Sequence, residues 1–307
     1  MSEEQNKKNL KKPKKNPLKN RKFTSILTTL FISLFYLTPT VVAKQNGLGI
    51  VASLKLTELI TGRKFGPDRR RKATTHEQLT SPVVRILVID QNDKANFCTA
   101  AAIAKYVYLT AAHCLDRKVQ QIMLDRGDYL PGKNTIFATT DQYAIYNKYD
   151  GSEKNDIALV FTGDLDSHYT DDQPANSWFK VDVFPTKNAE TLELQTQGFP
   201  SDKKGEMWKA TYKGFQTGRF GDYLSSPGVS FGGQSGSPFF APETGTQDEH
   251  VKGTIYGVLS GTRYLKVNPK EKMTTIAGLG PEHIRWIREL QERHENNVRK
   301  RDLELAK

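Results

Sequence analysis

Three short segments of this 307-residue chain carry side chains that could do nucleophilic chemistry if they met. Ala112-His113-Cys114 offers an imidazole, and Asn155-Asp156-Ile157-Ala158-Leu159 offers a carboxylate. Gly232-Gly233-Gln234-Ser235-Gly236-Ser237-Pro238 offers a hydroxyl on a glycine-rich turn. A serine hydroxyl is a poor nucleophile at neutral pH. It needs an imidazole within hydrogen-bond reach to take its proton, and a buried acid to hold the other ring nitrogen in the right tautomer. Singly, each segment has a plainer reading: a core histidine, an acid entering a strand, a loop serine. Jointly, in this order and 43 and 79 residues apart, they point to acyl transfer.

The flanking residues fit elements that would position such a site. Val107-Tyr108-Leu109-Thr110 is β-prone and alternating and ends on small residues, so a strand delivers His113. Asp156 leads into the apolar run Ile157-Ala158-Leu159-Val160, which would bury it. Gly233 leaves the backbone bare, so the amides of Gly233 and Ser235 can converge as an oxyanion hole; removing one such donor typically costs about 2.7–4 kcal/mol. Strand-sized runs recur at 82–90, 98–103, 106–111, 119–124, 134–145, 157–162, 178–183, 191–198, 206–216, 238–241 and 252–260, with Gly, Pro and Asn between them. Many short strands without helical periodicity predict an all-β barrel or sandwich. Pro281 then opens a helix whose Ile284, Ile287 and Leu290 would pack on the second half of the chain, while the charged residues 291–307 are expected to fray.

The segments Thr110–Cys114, Asn155–Leu159 and Gly233–Pro238 resemble trypsin-like (chymotrypsin-clan) serine endopeptidases, in which the same His, Asp, Ser order is found. Phe65-Gly66-Pro67-Asp68-Arg69 followed by Pro82-Val83-Val84-Arg85-Ile86 is similar to the start of the bacterial V8-like glutamyl-endopeptidase branch. The resemblance covers residues 65–295. It implies two perpendicular six-stranded β-barrels with the site between them: a first barrel at 65–170 and a second, with the C-terminal helix, at 171–290. It also implies His113 as general base, Asp156 as its orienter and Ser235 as nucleophile. Cys98 and Cys114, sixteen positions apart and the chain's only cysteines, match the disulfide that brackets the histidine in that clan. A loop so closed would add about 3 kcal/mol in the chain-entropy treatment and implies an oxidising compartment.

The same resemblance places a substrate-binding edge at Ser260-Gly261-Thr262 and a specificity pocket at Val229 and Ser230. Val229 stands where trypsin-type enzymes hold an aspartate, so a basic residue before the scissile bond is not expected. Ser230 keeps the hydroxyl of the glutamyl branch, but Leu259 replaces its histidine. A buried glutamate with no cationic partner would cost several kcal/mol to desolvate. The expected preference is therefore for a small or medium apolar residue, with Glu second. In trypsin-type zymogens the acid before the serine pairs with a freed amino terminus; Gln234 cannot make that ion pair.

The net charge of +11 suggests a nucleic-acid binder until it is located. Residues 1–22 carry +7, residues 23–43 carry no charge, and 44–307 carry only +4. A basic arm, the apolar stretch Phe23–Leu37, Pro39 and small residues at Val41-Val42-Ala43 have the layout of a secretory signal at 1–43, or of an uncut anchor that tethers the protein. Residues 44–64, ending on Arg63-Lys64, read equally as a propeptide or a lead-in. Arg69-Arg70-Arg71-Lys72 lacks interleaved aromatics and reads as a solvated charge run. Arg126-Gly127-Asp128 spells an adhesion tripeptide, but such triplets are common in turns. No metal-ligand or phosphate-loop spacing is present, so neither metal nor cofactor is implied. The sequence thus reads as a secreted or extracytoplasmic serine endopeptidase whose partner is a polypeptide substrate and not nucleic acid; it leaves the oligomeric state open, with a monomer expected. Its membrane contact would be transient, through the signal, unless that segment stays as a tether. The rival reading is a silent, protease-like binding or adhesion module.

Overall fold

The computed structural model describes residues 68–127, 136–163, 177–217, 224–228, 230–243, 250–264 and 272–306. The expected signal, the segment 44–64 and the division of the barrels near 170 lie outside them. A first, seven-stranded sheet comprises β2 (Val83–Asp90), β3 (Ala95–Ala104), β4 (Val107–Thr110), β5 (Val119–Asp125), β6 (Ile136–Thr140), β7 (Tyr143–Ile145) and β8 (Ala158–Phe161), ordered β6-β5-β2-β3-β4-β8-β7. A second, nine-stranded sheet opens with β1 (Arg71–Lys72) and continues with β9 (Trp178–Val181), β10 (Glu193–Gly198), β11 (Trp208–Lys213), β12 (Gln216–Thr217), β13 (Leu224–Pro227), β14 (Pro238–Pro242), β15 (Val251–Tyr264) and β16 (Lys272–Gly278). The chain is mostly β, with two curled sheets and a C-terminal helix.

Strand counts exceed six per sheet for local reasons. The run at 134–145 is split into β6 and β7. The second sheet gains the two-residue edges β1 and β12, and β9 joins β15 in parallel. β1 lies within the span expected for the first barrel but pairs with β11, Arg71 opposite Lys209. β13 and β16 were not expected from sequence.

Three apolar clusters organise the packing. Val84, Ile86, Ala100, Ile122 and Leu124 fill the first sheet. Leu194, Tyr212, Phe215, Phe239 and Ile276 fill the second. Between them lies a shared core in which Val83, Ala101, Leu109 and Ile157 meet Phe179, Phe199, Phe240 and Val258. β3 serves both sides of this arrangement, because its alternate residues Ala100 and Ala101 face different cores. Alanines on both faces let the two layers close tightly upon it.

Helix α1 (Thr75–Thr80), which the strand pattern did not suggest, is started by a capping box. Thr74 Oγ1 accepts from the Glu77 N–H at 3.2 Å, and Glu77 Oε2 accepts from the Thr74 N–H at 2.9 Å. Helix α2 (Pro281–Leu305) buries Ile284 and Ile287 in the shared core, with Leu290 beside them, as the stripe predicted. It departs from expectation in two ways: it rests on the first sheet as well, and it does not end near 290. His294 Nε2 donates to the Thr162 carbonyl at 2.9 Å, and Arg301 hydrogen-bonds the Gly163 carbonyl, so tertiary anchors hold the charged half helical. Among the described residues no helix is long and apolar enough to cross a membrane.

A disulfide joins Cys98 on β3 to Cys114 beyond β4, sixteen residues on, with Cα atoms 6.4 Å apart. Replacing both cysteines by serine should lower unfolding free energy by about 2–4 kcal/mol. Urea denaturation of the two forms measures this, and an unchanged midpoint would show that the loop is held by its packing alone.

Candidate active site

β4 runs straight into a 3₁₀ turn at Ala112–Cys114, and this turn presents His113. A second 3₁₀ turn, Glu153–Asn155, presents Asp156 at the entry to β8. Because β4 pairs with β8, Thr110 opposite Ala158, the two residues emerge side by side. Asp156 Oδ1 accepts from the His113 backbone N–H at 2.8 Å, and Oδ2 lies 2.6 Å from His113 Nδ1. Ser260 Oγ donates to the same Oδ2 at 2.5 Å. The carboxylate is 3% exposed and the imidazole about a third exposed, at 32%. With Nδ1 as the donor to Asp156, Nε2 is left with a lone pair. Burial disfavours the imidazolium, but the hydrogen bond and charge of Asp156, aided by Asp116, outweigh it and raise the His113 pKa above 6.5.

Ser235 comes from the other sheet, on the turn that precedes β14. Gly233 and Gly236 adopt φ of +84° and +82°, a region unfavourable to other residues. Both also sit where a side chain would collide: a Cβ on Gly236 would lie 2.2 Å from the Thr99 carbonyl, and one on Gly233 2.4 Å from the Phe199 carbonyl. The turn is closed by Gln234 N–H to the Phe231 carbonyl (3.2 Å) and Ser237 N–H to the Gln234 carbonyl (2.9 Å). Gln234, buried, turns its side chain inward, and its Oε1 accepts from the Phe231 N–H at 2.9 Å. Among the described residues the N–H groups of Gly233 and Ser235 donate to nothing. Unclaimed amides of this kind are uncommon in folded chains and suit a ligand oxygen.

Thr99, on β3 and fully buried, ties this turn to the first sheet. Its N–H donates to the Ser235 carbonyl (2.8 Å) and its Oγ1 to the Gly233 carbonyl (2.8 Å). Its Oγ1 accepts from the Phe199 N–H (3.1 Å), and its carbonyl accepts from Thr110 Oγ1 (2.8 Å). Thr110 lies three residues before His113, so the two halves of the site are linked through one residue. No hydrogen bond joins Ser235 Oγ to His113 among the described residues; such contacts are often long in unliganded enzymes and tighten with substrate.

The other expected residues divide. Gly261 and Thr262 are partly buried on β15, past a bulge between Leu259 and Gly261. Ser260 turns its hydroxyl onto Asp156 instead of serving only as main-chain edge, a contact that sequence reading did not assign. Ser230 is buried and donates to the Gly261 carbonyl at 3.4 Å. Val229 lies outside the described residues. The polybasic run is corrected at one position: Arg69, Arg71 and Lys72 are exposed, but the Arg70 side chain is 1% exposed and paired with Asp68 and Asp202.

Thr99→Val keeps shape but strips the hydroxyl that serves Gly233 and Phe199. Two buried backbone groups lose their partner, so unfolding free energy should fall by about 1–3 kcal/mol. Denaturant titration measures this, and a change below about 0.5 kcal/mol would show the hydroxyl to be dispensable.

Comparison with known proteins agrees on the fold. The family model described as trypsin matches residues 72–171, a span that includes His113 and Asp156 and ends before Ser235. A Glu endopeptidase solved in complex with MPD is similar, with TM-score 0.54 and 16% identity over 74% of this chain and 99% of its own. HL collagenase gives TM-score 0.53 and 16% identity over 74% and 99%. The scabies mite inactivated protease paralogue S-I1 gives 0.52 and 16% over 72% and 99%. No curated protein matches in sequence. Identities this low establish a shared architecture, so the chain has the chymotrypsin-type fold and carries a trypsin-like segment over 72–171.

Proposed function

We propose that the protein is an exported serine endopeptidase that cleaves polypeptides through an acyl-enzyme. The observation that carries this reading is the doubly hydrogen-bonded Asp156–His113 pair, tied through Thr110 and Thr99 to a turn with two uncommitted amides. Substrate main chain would add as a strand along Ser260–Thr262. Ser235 Oγ attacks the scissile carbonyl as its proton passes to His113 Nε2, and Asp156 stabilises the imidazolium so formed. The oxyanion develops towards the amides of Gly233 and Ser235. His113 then protonates the leaving amine, and water resolves the acyl-enzyme by the same route.

The disulfide supports an oxidising compartment, in keeping with 1–43 as an export signal. Gln234 makes its own contact inside the turn, so activity would not depend on an ion pair with a new amino terminus. Ser230 Oγ lies 3.4 Å from the Gly261 carbonyl, and the cation of Arg70 beside Phe231 is held by two carboxylates. Arg70 is therefore not free to receive a glutamate, which favours an apolar residue before the scissile bond. A silent binding module is the second reading. It draws on the missing Ser235–His113 hydrogen bond and on a structural neighbour that is itself an inactivated protease paralogue.

Ser235→Ala and His113→Ala should each remove peptide hydrolysis by up to about 10⁶-fold in kcat, with little further loss in the double variant. Ser235→Ala with near-wild-type turnover would refute the assignment. Because His113 must be neutral to act as base, kcat/KM should rise through an ionisation lying above 6.5. Asp156→Asn should move that midpoint down and cut kcat by about 10⁴-fold; an unmoved midpoint would assign the titration elsewhere. On matched peptides, Leu or Ala before the scissile bond should outrun Glu, and a Glu preference of about a hundredfold would overturn the pocket reading.

A further inference from the structure

Within the polybasic run, Arg70 differs from its neighbours in being buried. Arg70 Nε and Nη2 each lie 2.9 Å from Asp68 oxygens, and Nη1 and Nη2 lie 2.8 Å from those of Asp202. The guanidinium carbon stands 4.3 Å from the Phe231 ring centroid. Burial works against its charge, but the hydrogen bonds and charges of Asp68 and Asp202 more than offset this and raise its pKa. Burial likewise pushes the Asp68 carboxyl up, and the bonds from Arg70 pull it below its ordinary value. Three segments remote in sequence therefore converge on one permanent cation.

Two of those segments reach the nucleophile's turn directly. Asp202 belongs to the 3₁₀ turn Ser201–Lys203, whose Ser201 N–H donates to the Gly232 carbonyl at 2.7 Å. Just upstream, the Phe199 carbonyl packs against Gly233. Phe231 is the residue whose N–H and carbonyl are both taken by Gln234. Arg70 thus grips the outside of a turn that Gln234 closes from within.

We propose that Arg70 is a positioning residue for the turn bearing Gly233 and Ser235. Clamped by Asp68 and Asp202 and stacked on Phe231, it holds the two amides in place, so the segment 68–72 is a working part of the active protein. This rests on the serine-protease reading. Trimming at Arg63-Lys64 would leave the clamp whole, whereas a cut within Arg69–Lys72 would destroy it. Lysine cannot substitute, because an ammonium has no planar fork to span two carboxylates.

The test compares full-length wild type, Arg70→Met and Arg70→Lys by peptide hydrolysis and by amide hydrogen exchange. A misplaced donor of this kind should cost Arg70→Met about 10²-fold in kcat with KM within about threefold. Exchange across 231–236 should quicken by about tenfold or more, with the segment around His113 unchanged. Arg70→Lys should recover only a minor part of kcat. Unchanged kcat and exchange overturn the proposal, as does loss that merely follows the melting of the whole second sheet. Should Arg70→Met fail to fold, Asp202→Asn, which keeps shape and removes one charge, is judged by the same measures. If wild type cleaves no peptide, the serine-protease reading falls, and exchange at 231–236 still decides whether Arg70 holds the turn.

Discussion

His113 and Ser235 sit on different sheets, so the proposed chemistry depends on how one sheet is docked on the other. Thr99 is the point where that docking is fixed by directional bonds. It joins the Gly233 and Ser235 carbonyls of one sheet to Phe199, and through Thr110 to the strand that delivers His113. The apolar core between the sheets supplies the force that holds them together, but dispersion and burial are non-directional. Register comes from Gly236, whose bare backbone meets the Thr99 carbonyl of the other sheet, and from the Thr99 hydroxyl, which bridges the Gly233 carbonyl and the Phe199 N–H. The neighbouring disulfide stiffens the same corner of β3 and β4.

Around Asp156 the electrostatics serve orientation first. A nearly buried carboxylate would be costly alone, but here three donors meet it: the His113 amide, the His113 ring and the Ser260 hydroxyl. The pKa of His113 is raised, so the pair contributes most to stability below the unfolded histidine range. That contribution fades as pH rises through the folded value. On the proposed reading His113 must be neutral to act as base, so catalytic competence would grow over the same window in which the pair's help to folding declines. The two demands are opposed, and the shared core and helix α2 carry the fold where the ion pair does not.

The segments around His113, Asp156 and Ser235 were legible in the sequence because each is local: a strand ending in small residues, an acid before an apolar run, a glycine-rich turn. Alternation also exposed the strands of the first sheet, where β2 buries Val84, Ile86 and Val88 on one face. Other features depended on partners far along the chain. β13 is half serine, and buried Ser226 satisfies its hydroxyl on the distant Lys213 carbonyl. β16 buries Thr274 and Thr275 next to Ile276, which hides its apolar pattern. The charged half of α2 is helical through His294 and Arg301, whose acceptors lie more than a hundred residues upstream. Arg70 is the sharpest case: within a polybasic run it resembles its neighbours, and its distant partners Asp202 and Phe231 distinguish it.

The central claim is that Ser235 is an activated nucleophile. A fluorophosphonate reacts covalently with such a hydroxyl and spares ordinary surface serines. Mass mapping of the labelled, folded protein should place a single adduct on the peptide containing Ser235, and His113→Ala should suppress it. An adduct elsewhere, or no adduct on protein that is demonstrably folded, would contradict the account.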